Sequence, residues 1–142
     1  MFIDFDTHAP APRGSWTALP DDEALLLWSL RRLVVAWPGS PAVEAALLRR
    51  WGGDATGVLQ LLRCWLAALG HRARGSLTVG DPACARLLPD EAAMLRALRH
   101  PAGAGVALAG RCRDADALVP LAAALNLFMR PRGAAPAAAS RR

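Results

Sequence analysis

The chain has 142 residues, 54% of them hydrophobic, and a formal net charge of +5. That length predicts one domain, which buries roughly 68–70% of its unfolded surface and needs no disulfide or metal staple. The apolar fraction excludes a mostly disordered chain, and abundant Ala, Leu and Arg with no Tyr and little Val, Ile or Thr predict an all-α fold.

The charge is unevenly placed. Arg130, Arg132, Arg141 and Arg142 carry four of the five net charges, which leaves the body at +1. Basicity of the whole domain is therefore a weak argument for nucleic acid. All 17 basic residues are Arg, a pattern that reads as codon bias before it reads as phosphate recognition.

In chain order, residues 1–18 contain Pro10, Pro12 and Gly14 with little periodicity, and they predict an N-terminal arm. A first helix starts near Asp21, read as its N-cap, with Asp22 and Glu23 set against the helix dipole. Leu26, Leu30, Leu33 and Trp37 form its stripe, and Pro38-Gly39 ends it. Ser40-Pro41 opens a second helix with Val43, Leu47 and Trp51 stacked at four-residue intervals, and Gly52-Gly53 closes it.

Asp54 then caps a central helix over 54–71. Val58, Leu61, Leu62, Trp65, Leu66, Ala68 and Leu69 fill about half of its circumference, wide enough to touch several neighbours. Residues 75–88 form a Gly/Pro-punctuated connection in which Leu77-Thr78-Val79 is strand-like but too short to support a sheet. A helix from Pro89, a short weak one over 102–110, and a last one over 116–129 with Pro120 in its first turn follow. Leu19-Pro20-Asp21-Asp22-Glu23-Ala24 and Leu88-Pro89-Asp90-Glu91-Ala92 look like two uses of one start signal. The expected architecture is a compact bundle of five or six helices around the central one: an arm (1–18), one helical domain (19–130) and a disordered basic tail (131–142).

Catalysis has no visible constellation. Asp4-Phe5-Asp6-Thr7 resembles the phosphatase motif with an aspartate nucleophile, but the threonine comes one place after the second aspartate instead of two. No strand–helix alternation follows to build such an enzyme. Asp4, Asp6 and His8 alternate as metal ligands could, without a fourth ligand nearby. Cys64 and His71 lie ~10 Å apart on one helix, too far for one ion. Three Cys in no motif spacing, and no basic-plus-apolar leader, point to a reduced cytoplasmic setting. The longest uncharged helical run, 117–129, falls short of the ~20 residues of a membrane span. No cofactor and no metal are expected.

Three sets of residues remain. Trp28, Arg31, Arg32 and Val35 share a face of the first helix opposite its stripe, where Trp beside guanidinium groups suits a protein partner or self-association. The second and central helices have a helix-turn-helix layout that would present Thr56, Gln60 and Arg63 to nucleic acid, with the arginine tail in support; Asp54 at the helix start opposes phosphate. Asp81, Cys84 and Arg86 form an irregular loop in which Arg86 could lower a thiol pKa.

The segments Asp22-Glu23-Ala24-Leu25-Leu26-Leu27 with Leu30-Arg31-Arg32, then Leu62-Arg63, then Pro82-Ala83-Cys84-Ala85-Arg86-Leu87-Leu88-Pro89-Asp90-Glu91 resemble an uncharacterised family of small helical bacterial proteins. The likeness covers 19–98. It implies a helical fold and no activity, and it directs attention to Asp81, Cys84 and Arg86; the family's loop carries more than one cysteine, whereas this chain has only Cys84. The expectation is a non-enzymatic accessory or regulatory protein acting through protein contacts. The rivals are a DNA-binding, transcription-associated protein and a Cys84-centred redox or metal role.

Overall fold

A computed structural model describes residues 3–6 and 18–129. The elements are β1 (Ile3–Asp6), α1 (Asp21–Val35), α2 (Pro41–Trp51), α3 (Ala55–Arg72), β2 (Leu77–Gly80), α4 (Pro89–Arg99), α5 (Ala104–Leu108) and α6 (Val119–Phe128). Single 3-10 turns at Gly52–Asp54, Pro101–Gly103 and Ala115–Leu118 lead into α3, α5 and α6. The fold is all-α, as expected, with α3 at its centre. Val58, Leu62, Trp65, Leu66 and Leu69 are fully buried, and α3 packs on α2 and α6 with further contacts to α1.

Local chemistry accounts for most boundaries. Pro41 and Pro89 stand in the first turns of α2 and α4, where a missing N–H costs nothing. Gly52 ends α2 at φ +55°, a left-handed angle that favours glycine, while its N–H reaches Leu48 O. Pro120 falls in the first turn of α6 because the 3-10 turn precedes it. The start signals act differently from the sequence reading. Pro20, not Asp21, is the N-cap of α1, and neither Ser40 nor Asp54 makes a side-chain capping bond. Trp37 leaves the stripe assigned to it; it lies beyond α1 and is 44% exposed.

The sheet corrects a second expectation. Leu77–Gly80 is paired in parallel with Ile3–Asp6, Ile3 against Leu77 and Asp6 against Gly80. Four residues cannot support a sheet alone, but β2 is also fixed from its other edge. Thr78 N–H donates to Asp90 Oδ2 at 2.7 Å and Gly80 N–H to Glu91 Oε2 at 2.9 Å. The side chains of Leu77 and Val79 are buried in the helical core. Residues 1–2 and 7–17 of the expected arm, His8 among them, and the tail expected to be disordered lie outside the described residues.

Candidate functional site

The acidic starts of α1 and α4 are fastening points. Asp22 accepts from both Nε (2.7 Å) and an Nη (2.8 Å) of Arg50 on α2. Glu23 accepts from Arg99 at the end of α4. Asp90 accepts from Arg111 at 2.6 Å, and Glu91 takes Arg31 of α1. Helices α1 and α4 therefore lie antiparallel, each with its own acid holding the other's arginine. Hydrogen bonding to these carboxylates raises Arg50 and Arg99 above the usual arginine pKa, against a smaller opposing effect of burial.

Arg31 was expected on a partner-facing surface. It is 1% exposed and sits inside the loop that joins β2 to α4. Its Nε and one Nη grip Glu91 at 2.7 and 2.8 Å. The remaining donors reach main-chain carbonyls: Cys84 O at 2.6 Å, Arg86 O at 2.6 Å and Asp81 O at 3.4 Å. A guanidinium has five N–H donors, so none is left over. Glu91 is 0% exposed and is equally occupied, since Gly80 N–H and Leu88 N–H (both 2.9 Å) complete its acceptor sites.

The loop's shape follows from this hub. Asp81-Pro82-Ala83-Cys84 turns with Cys84 N–H on Asp81 O at 2.8 Å, and Asp81 Oδ1 caps Ala83 N–H at 2.8 Å. Gly80 is a close approach: a Cβ there would lie 2.8 Å from Arg31 Cζ, so the guanidinium would have to shift. The loop residues singled out by sequence, Asp81, Cys84 and Arg86, do converge, but through their carbonyls. Cys84 Sγ, half-buried, points to Arg86 O at 3.7 Å. The hub holds a charge in place, and the Arg31 guanidinium has no donor left to offer a ligand.

The other expected residues are dispersed. Trp28 packs partly on the core with the Arg32 guanidinium 4.8 Å from its ring centre, and Val35 is exposed. Thr56 and Gln60 are exposed on α3. Arg63 is turned to Pro38 O at 2.6 Å, clamping the α1–α2 turn. A groove of about 560 Å³ between the start of α1, the end of α2 and Met129 is lined by Asp21, Asp22, Arg49 and Arg50 together with Leu25, so its charges balance. Among the described residues no group of three or more His, Cys, Asp or Glu is placed to hold a metal ion, and no helix is long and apolar enough to cross a membrane. Cys112 is buried, and desolvation pushes its thiol pKa up.

What the sequence reading missed is the outward face of α6. Asn126, its one polar side chain, is spent on Leu98 O at 2.9 Å. Pro120, Ala123 and Leu127, at helical spacing, are exposed. The signal was present in Val119–Phe128, which carries no charge at all. Comparison with protein-family models, with curated proteins and with solved structures gives no match.

Proposed function

We propose that this chain is a non-catalytic accessory or regulatory protein, cytoplasmic, that acts by docking onto another protein. The observation that supports the reading most is α6. A helix apolar on every side is normally buried on every side, yet here Ala122 and Leu125 face the core while Pro120, Ala123 and Leu127 face outward. An uncharged outward stripe favours a protein partner over nucleic acid, whose backbone would require arginines there.

Affinity purification of the wild type beside Leu127→Arg tests the reading. Leu127 is exposed, so the variant keeps the wild-type circular dichroism and melting curve. A protein retained by the wild type and lost from the variant is the expected result. Identical sets of bound proteins would overturn it. Retention of duplex DNA, falling steeply with salt and lost on Gln60→Ala, would put the transcription-associated reading in its place.

A further inference from the structure

The α2–α3 pair carries two complementary features. Between the two helices is a notch of about 190 Å³ lined by Glu44, Leu47, Leu48, Ala55, Thr56 and Leu59. It is smaller than the roughly 300 Å³ at which small-molecule pockets begin, and its walls are apolar except for Glu44 and Thr56. Leu48 stands at its rim, 60% exposed. It has room for one large apolar side chain.

Such a side chain stands on the same face. Thr56, Leu59 and Arg63 follow one another at helical spacing along α3, so the stripe that begins at the notch ends at Arg63, about 10 Å away. There Arg63 holds Pro38 O, and Gly39 lies against it, a Cβ at Gly39 being 3.0 Å from the guanidinium. Trp37, the residue before Pro38, is 44% exposed at this end of the stripe. One end carries a tryptophan and a positive charge. The other carries a hole and a negative charge.

We propose that this face binds a second copy of the chain about a two-fold axis between the two ends. Trp37 of each copy enters the Leu47/Leu48/Leu59 notch of the other, and Arg63 of each approaches Glu44 of the other. A two-fold contact requires a surface complementary to itself, and a knob and hole with opposite charges at opposite ends meet that condition. The same charges disfavour duplex DNA, because Glu44 lies in the groove and Asp54 at the start of α3. The outcome is independent of α6: Leu127→Arg leaves self-association unchanged while removing the partner assigned to that helix.

Sedimentation equilibrium on the full chain over a micromolar-to-millimolar range tests this. The wild type dimerises, and Trp37→Ala and Leu48→Arg each weaken the dimer by at least about thirtyfold, the hot-spot threshold at 1.4 kcal/mol per decade. Leu48 is mostly exposed, so its variant tests the surface without threatening the fold. Glu44→Arg weakens association by setting two cations against each other, and Glu44→Gln weakens it less. A wild type that stays monomeric throughout, or a dimer unaffected by both Trp37→Ala and Leu48→Arg, would overturn the proposal.

Discussion

Arg31 and Arg32 are adjacent on one helix and have opposite fates. Arg31 is enclosed, with every donor matched by a carboxylate or a peptide carbonyl. Arg32 lies over Trp28 at the margin of the core, and its buried Nε has no hydrogen-bond partner. The two positions are separated by about 100° on the helix, enough to turn one guanidinium into the loop and leave the other half-buried beside Trp28. A buried arginine is tolerated only when its partners are supplied in full. The loop 80–88 has its shape because it supplies them.

The largest way to break this contrast is to remove Glu91. Glu91→Ala leaves Arg31 buried and uncompensated and frees Gly80 and Leu88 N–H, an expected loss of about 3–5 kcal/mol. Thermal denaturation should show the midpoint falling by roughly 10 °C or more. A fall of only one or two degrees would mean that water reaches the guanidinium. Next in size is Gly80→Ala. The new methyl group would stand where the Arg31 guanidinium lies, and displacing it should cost about 1–3 kcal/mol. Because β2 carries the glycine, protection of the Thr78 and Gly80 amides from hydrogen exchange should fall with it.

Particular residues show which parts of this arrangement were legible. Val58, Leu62, Trp65 and Leu69 of α3 repeat at helical spacing, and Pro41 and Gly52 mark the two ends of α2 through local backbone chemistry, so the helices could be read in order. The shared Leu-Pro-Asp start was visible too, but only as a dipole effect. Its second use, in which Asp22, Glu23, Asp90 and Glu91 each take an arginine, depends on partners that arrive from elsewhere in the chain. Arg31 and Glu91 are 60 residues apart. Nothing at position 31 distinguishes an arginine entering the core from one entering water. The parallel pairing of β1 with β2 was hidden for the same reason, since three helices separate the strands.

Cys112 sharpens the comparison from the side of a group that burial keeps neutral. Its thiol pKa is raised mainly by desolvation. Folding therefore favours the protonated form, and its contribution is fully present below the unfolded thiol value near 8.5. It is lost as pH rises from there through the folded value. Melting temperature should decline more steeply above about pH 8.5 in the wild type than in Cys112→Ala. Alkylation at pH 8 should label exposed Cys64 first and Cys112 only on unfolding; rapid labelling of Cys112 in the folded protein would contradict its burial.

The smallest expected effect belongs to Arg32. Arg32→Ala removes a cation–π contact at 4.8 Å and a guanidinium whose Nε is buried without a hydrogen bond. The first loss costs roughly 0.5–1 kcal/mol at this half-buried site, and relief of the unpaired donor offsets part of it. The net change should stay under about 1 kcal/mol, a few degrees in a melt at most. Arg31→Ala strands the Glu91 carboxylate and the three loop carbonyls, so two identical substitutions one residue apart should differ several-fold. If they cost the same, complete hydrogen bonding is not what separates the two arginines, and the loop's shape would need another cause.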